Sequence, residues 1–567
     1  MEKDKNTEKN DIEITSRVSS FGEPEKNPKK SKSSNSIHRQ IKITAICVLL
    51  FAVLAVLYFV VLKPMTDVPT IEEYEILDGE AISIKNCTVK SVEGDGTVTY
   101  SSDEYYAYCN GGNATITLDT TNASSTAGGI YIFPMLEASD VEEVSVTNDT
   151  GTWGFKYDAD DEDYYITGYK GTPYQESAYT ALIAAARNPL SIERIAVDVD
   201  DMSKYGISSD GARYTITAFD GTAYTVYVGD MLVTGGGYYC ALEGRNAVYA
   251  MDTSMAYFTS SVLSYINPLL SFPVSDTEYY NTEKFTLTVD GNEFVSFGYA
   301  TAAEKEKTAS NSTYKMFYPE NYTPNTSNTN HILESFVEFE GTQVLAFGPY
   351  GETMSGVELS KYNLLVPKYE IYYRYSNVDN YIYVSEQNED GSYYAYSLLF
   401  NIVCLVDADT VDYLRWDLID FIDKPLFQKN INDVASVRIQ TTQGGDETFI
   451  IKGDSNENLT CTVSSTGEVM DDEMLKNFRR LYIKLLNLQI EEYTESKSTD
   501  EWLMTLTVTT DFGYEYQYSF YAYSTRRCYF TINGEGEFYC LRDRVEKIIE
   551  DLPNLLDGKE IDSNDLG

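Results

Sequence analysis

Histidine is almost missing from this chain of 567 residues, with only His38 and His331 present. That removes most imidazole-based acid–base chemistry and the commonest metal ligand at once. Positive charge is also scarce: 43 Lys and Arg stand against 88 Asp and Glu, a formal charge of −45. Such a chain repels phosphate backbones, so no nucleic-acid partner is expected. Cysteine occurs 8 times, never in the CxxC or Cys/His spacing of a zinc site. Tryptophan falls to 3 residues while tyrosine reaches 49. With 43% hydrophobic and 13% aromatic residues, the chain can nonetheless bury a core.

One apolar run stands out, Ile43–Leu62, which contains no charge. At about 1.5 Å per residue it matches the roughly 30 Å hydrocarbon thickness of a bilayer. Lys63-Pro64-Met65-Thr66-Asp67 follows it, without the small-residue cleavage site of a signal peptide. We read the run as an uncleaved signal anchor, a single transmembrane helix over 43–63. The tail 1–42 has ten Lys and Arg against seven Asp and Glu, with Lys26, Lys29, Lys30, Lys32, Arg39 and Lys42 nearest the span. By the positive-inside rule the N-terminus is cytoplasmic and the C-terminal bulk extracytoplasmic. The tail itself, rich in Lys, Glu, Asn and Ser, reads as disordered.

The exported part reads as α+β, with antiparallel sheets built from alternating runs and tight turns. Tyr214–Phe219, Asp220-Gly221 and Tyr224–Val228 form one hairpin pattern, and Phe285–Val289, Asp290-Gly291 and Glu293–Phe297 repeat it. Longer matches follow. Met202-Ser203-Lys204-Tyr205-Gly206-Ile207 matches Leu359-Ser360-Lys361-Tyr362-Asn363-Leu364, and Tyr238-Tyr239 with Val248–Asp252 matches Tyr393-Tyr394 with Val403–Asp407. Each copy is followed by a helical pattern closing on proline, Ser254–Ile266 and Thr410–Ile422. A third copy, Tyr529–Ile532 with Phe538–Leu541, leads into a predicted helix Arg542–Leu552 before Pro553, but it lacks the Ser-Lys-Tyr element. Front halves with a helix are expected at Tyr174–Ala186 and at Asp472–Leu488, where Met474, Leu475, Phe478, Leu481, Tyr482, Leu485 and Leu488 mark one buried face.

The expected organisation is therefore a tail (1–42), the membrane helix (43–63) and a stalk with a small β segment (64–135). Three tandem α+β repeats then occupy 136–272, 273–428 and 429–557, followed by a disordered acidic tail at 558–567. In the second repeat the polar stretch 301–330 is expected to be a surface loop insertion.

The block Ser191–Asp252, with its acidic Ser-Lys-Tyr-Gly turn, Gly229-Asp230 after the hairpin, Tyr238-Tyr239 and Val248-Tyr249, resembles the bacterial family called domain of unknown function 4340. Gly129–Pro173 resembles clostridial members of it. The resemblance is good over 130–272 and looser over 276–427, and beyond 430 it rests on shape. It implies a membrane-anchored protein with ABC transporter subunits of the gliding-motility type as partners. It carries no catalytic residues.

Individual candidates for chemistry reduce to structure. Cys528 and Cys540 flank a hairpin centred on Gly534 and are the leading disulfide pair, with Cys87–Cys109 as a second; Cys240 and Cys404 read as small buried hydrophobes. The acidic run Asp158-Ala159-Asp160-Asp161-Glu162-Asp163 lacks the glycine and distal glutamate of a calcium loop and reads as a solvated hairpin tip. Asp198, Asp200 and Asp201 are read the same way. Gly235-Gly236-Gly237 opens a strand without a following Lys-Ser/Thr, so it is a turn rather than a phosphate cradle. His331 reads as an exposed helix-start residue. No catalytic residue, metal or cofactor is expected. The function expected is a non-enzymatic, single-pass extracytoplasmic scaffold or accessory protein. The alternative is a glycan- or peptide-binding module that uses Tyr-rich surfaces, although Tyr238, Tyr239, Tyr393 and Tyr394 recur at repeat-equivalent positions, which favours packing.

Overall fold

The computed structural model describes residues 34–58, 73–84, 89–92, 98–100, 105–108, 114–118, 129–307 and 312–562. It divides into two compact units, one formed by 1–75, 84–105 and 115–127 and the other by 76–83, 106–114 and 128–567. The first unit contains helix Ser34–Leu57 and a four-stranded sheet ordered Glu73–Ile76, Ala114–Leu118, Val98–Tyr100, Val89–Val92. The helix starts at Ser34, inside the stretch read from sequence as a disordered tail. Among the described residues no helix is long and apolar enough to cross a membrane. The run 43–62 is described only as far as Tyr58, and the side chains of Ile43 and Cys47 also lie outside the described residues.

The second unit holds three antiparallel sheets of one topology. In the first, the strands lie side by side in the order Asp163–Ile166, Gly151–Asp158, Val141–Asn148, Arg213–Ala218, Ala223–Met231, Tyr238–Leu242, Ala247–Met251, Glu193–Val197. The second repeats that order with Tyr314–Tyr318, Asn292–Tyr299, Lys284–Val289, Tyr369–Tyr375, Val378–Val384, Tyr393–Ser397, Ile402–Val406 and Gln343–Phe347. The third runs Glu468–Val469, Thr460–Val463, Asp446–Lys452, Val434–Thr441, Trp502–Thr510, Glu515–Ala522, Arg527–Ile532, Glu535–Leu541, Ile490–Tyr493. In each repeat a helix leads from the front strands to the far edge strand: Glu176–Arg187, Thr326–Ser335 and Asp472–Leu486. The last buries Phe478, Leu481, Tyr482 and Leu485, as its three-to-four spacing requires, and Asp471 caps it by accepting from the Met474 N–H at 2.9 Å.

Four sequence expectations are corrected. The stretch 301–330 is not an inserted loop: it supplies the third strand of the second repeat, Tyr314–Tyr318, and the start of that repeat's helix. Its polar flanks hide a short apolar–aromatic edge strand. The patterns Ser254–Ile266 and Thr410–Ile422 are not continuous helices but pairs of short 3-10 segments. In the first, the Thr259 and Ser260 hydroxyls donate to the Ala256 carbonyl and Ser261 caps a fresh turn, so side chains compete for the backbone groups a helix needs. In the second, Asp417 restarts the turn with a capping box to Asp420. The C-terminal helix runs through Pro553 to Leu556, because a proline in the last turn costs one N–H while its carbonyl still accepts from Asp557 at 2.9 Å. Residues 558–562 are no free tail: Ile561 is 1% exposed and Arg480 pairs with Glu560 at 2.8 Å.

The repeats join by one device. The segment leaving the first repeat runs antiparallel to the segment that follows the second repeat's helix, with Leu270 N–H donating to Phe339 O (2.9 Å) and Gly341 N–H to Pro268 O (2.8 Å). The segment leaving the second meets the third identically, through Leu426 N–H to Leu488 O (2.9 Å) and Ile490 N–H to Lys424 O (2.6 Å). The first repeat receives strand Gly129–Tyr131 at the same place, opposite Leu190–Ser191.

Candidate functional site

The Ser-Lys-Tyr element is a helix terminator that carries an aromatic. Asp201 accepts from the Ser203 N–H at 3.1 Å and caps the 3-10 turn Met202–Tyr205. Gly206 (φ 71°) then turns left-handed, and Ile207 N–H reaches back to Met202 O at 3.3 Å. In the second repeat Asn363 (φ 57°) takes the left-handed place and Leu364 N–H bonds Leu359 O at 2.9 Å. This six-to-one closure wants Gly or Asn followed by an apolar residue, and Ile207 and Leu364 are both buried. The tyrosine meets the second tyrosine of each Tyr-Tyr pair, Tyr205 with Tyr239 and Tyr362 with Tyr394, in small cores that also hold Val248 and Val403. In these places tyrosine packs the fold.

The remaining sequence candidates also resolve into structure. Lys170 Nζ lies 2.8 Å from Asp158 and 2.6 Å from Asp161, so the acidic hairpin tip has its own cation. The lysine's hydrogen bonds hold both carboxyls below their usual range. Asp198 occupies a left-handed turn and Asp201 is the cap described above. Among the described residues no group of three or more His, Cys, Asp or Glu could hold a metal ion. Gly235 and Gly237 carry positive φ and form a turn. His331 is not at a helix start but in the second half of Thr326–Ser335, exposed, with Nε2 3.0 Å from Asp412 and its ring 5.7 Å from Trp416. Cys240, Cys404 and Cys461 are free and buried. Cys528 and Cys540 are also buried, and face each other in register across the last hairpin. Cys87 and Cys109 lie outside the described residues.

A concavity lined by acids and aromatics lies at the joint of the second and third repeats. It is a cleft of about 630 Å³ lined by Glu293, Phe294, Tyr318, Pro319, Asp417, Leu418, Ile419, Glu491, Glu492, Tyr493 and Glu537. Its wall is held by Tyr322, whose hydroxyl donates to Glu537 at 2.7 Å and whose ring meets Phe538 edge-on at 5.2 Å. Burial, reinforced by the Glu537 charge, pushes the Tyr322 hydroxyl far above its ordinary pKa, so it remains a donor. Glu492 pairs with Arg527, and Glu537 lies 3.8 Å from Lys497. Glu293 and Glu491 are exposed and have no ion-pair partner among the described residues. Carboxylates beside exposed aromatic faces, here Tyr318 and Tyr493, suit an organic cation through charge and cation–π attraction. Sequence reading missed this site because its residues come from segments between 293 and 537. Only the acidic–aromatic run Glu491-Glu492-Tyr493 hinted at it.

Comparison with known proteins supports the resemblance. Residues 164–367 match the model of the family described as domain of unknown function (DUF4340). The matched segment begins at the third strand of the first repeat and ends just before Tyr369–Tyr375 of the second. No curated protein matches this chain. No solved structure matches it.

Proposed function

We propose that this chain is a non-enzymatic, membrane-anchored extracytoplasmic scaffold, an accessory subunit of an ABC-type export system. The observation that carries the reading is the head-to-tail array: three sheets of one topology joined by one repeated backbone device. An array whose repeat-equivalent tyrosines Tyr205, Tyr239, Tyr362 and Tyr394 pack its small cores suits a rigid spacer. The anchor is supported by helix Ser34–Leu57, in which every described side chain from Thr44 to Leu57 is exposed, among them Leu49, Phe51 and Leu54. Exposed apolar side chains around a helix suit hydrocarbon as their solvent. Affinity purification of the full chain from detergent-solubilised membranes tests the partner. Co-purification of a transporter subunit is the expected result, and repeated recovery of the chain alone contradicts it.

The second reading, an envelope peptide-binding module, is favoured by the acid–aromatic cleft. Its chemistry selects a cationic side chain over a neutral glycan. Titration with oligolysine should show binding that weakens with salt and drops about tenfold in E293Q/E491Q. Salt-independent or mutation-insensitive binding contradicts the cleft as its seat.

A further inference from the structure

We infer that Cys528 and Cys540 form a cross-strand disulfide that staples the last hairpin at the joint between the second and third repeats. The two residues are direct partners in the antiparallel ladder of Arg527–Ile532 and Glu535–Leu541. Arg542 N–H donates to Arg526 O at 2.9 Å, two positions along the same register, so Cys528 and Cys540 occupy a hydrogen-bonded pair. Cα atoms of such a pair stand about 5.5 Å apart, inside the roughly 4.4–6.8 Å that a disulfide spans. Among the described residues the other buried cysteines have no such partner: Cys240 faces Tyr249, Cys404 faces Ala395 and Cys461 faces Ile451.

Position gives the staple a purpose. On its other side Cys540 pairs with Ile490, and Ile490 N–H holds the Lys424 carbonyl of the segment leaving the second repeat. A bond from Cys528 therefore fixes the strand on which the third repeat receives its neighbour. The folded thiols are 0% and 1% exposed, and burial together with the Cys528 thiol pushes the Cys540 thiol well above its ordinary pKa. The exchange thus belongs to the folding chain, before the C-terminal helix closes.

The oxidant is a disulfide carrier, either a dithiol protein in its oxidised form or a small disulfide. One cysteine thiolate attacks the carrier disulfide, giving a mixed disulfide and releasing a carrier thiolate. The second cysteine thiolate attacks the chain's sulfur, the cross-strand bond forms and the remaining carrier sulfur leaves. Two protons and two electrons leave the chain, and the carrier disulfide is reduced.

The inference rests on the extracytoplasmic reading only for its supply of oxidant, so the test separates the two. The full chain is refolded from denaturant in reduced and oxidised glutathione, alkylated in denaturant without reductant, digested and weighed. The expected result is one reductant-sensitive species joining the Cys528 and Cys540 peptides, with Cys240, Cys404 and Cys461 alkylated. Both thiols alkylated, or either joined to another cysteine, overturns the pairing. The same alkylation applied at cell lysis then reports the compartment. A link found after refolding but absent from cells upholds the pairing and counts against the extracytoplasmic reading.

Discussion

The Tyr205 ring meets the Tyr239 ring edge-on, with centroids 5.2 Å apart, and Tyr362 meets Tyr394 in the same way at 5.5 Å. One helix-terminating turn therefore carries one aromatic contact in two repeats, which ties a sequence motif to a specific packing role. The two tyrosines differ at their hydroxyls: that of Tyr362 donates to Leu345 O at 3.2 Å. Y362F should cost about 1 kcal/mol and Y205F nearly nothing, whereas alanine at either position should cost about 2 kcal/mol. Denaturant unfolding of the four variants checks this. Equal effects of the two phenylalanine variants would contradict it.

The glycine run in the first repeat makes a contrast inside one turn. A Cβ on Gly237 (φ 155°) would lie 1.8 Å from the Met251 carbonyl oxygen, whereas one on Gly236 would meet only Thr234 Oγ1 at 3.6 Å. G236A should express and melt like the parent, and G237A should lower the melting midpoint by several degrees, since about 1 kcal/mol moves it by roughly 2–4 °C in a domain of this size. Identical melts would exclude the close approach.

How much was legible in the sequence follows from the same particulars. The Asp-Gly hairpins were readable because Asp290 and Gly291 in one and Gly221 in the other take positive φ, which few residues accept. The repeats were readable because Gly206 and Asn363 serve one backbone conformation. The 3-10 segments were not, since Thr259, Ser260 and Asp417 divert the backbone through side-chain hydrogen bonds that leave the apolar spacing unchanged. Strand Tyr314–Tyr318 was masked by its polar neighbours. The cleft joins Glu293 to Glu537 through tertiary packing alone, and no local pattern encodes that.

A buried carboxylate latches the segment 76–83 to the first repeat. Glu80 is 0% exposed, its Oε2 lies 2.6 Å from Arg194 Nη1 and its Oε1 lies 4.0 Å from Arg245, with the Tyr249 hydroxyl also donating to it. Removing one partner of such a cluster strands the remaining charges and costs about 3–5 kcal/mol. E80A should open residues 76–83 to limited proteolysis while the repeats remain resistant. Unchanged cleavage would mean that the cluster does not hold this segment.

Glu304 makes one turn of the second repeat acid-sensitive. Its hydrogen bond from Lys315, with help from the Thr301 hydroxyl, holds it at about 2 against an ordinary 4.5. Because the folded value is depressed, its contribution is fully present above pH 4.5 and is lost as pH falls through about 2. Amide protection across the capped turn Ala302–Lys305 should fall over that window in the parent and show no such step in E304Q. A step of equal size in both would assign the transition to another group.

The anchor proposed above would have the chain cross the membrane once near Leu50 and hold its three repeats outside the cytoplasm. Protease added to intact cells, with detection through epitopes at each terminus, tests it most directly. A single crossing in that orientation predicts loss of the C-terminal epitope while the N-terminal one survives in a short membrane-bound fragment. Survival of both epitopes until the cells are broken would contradict it.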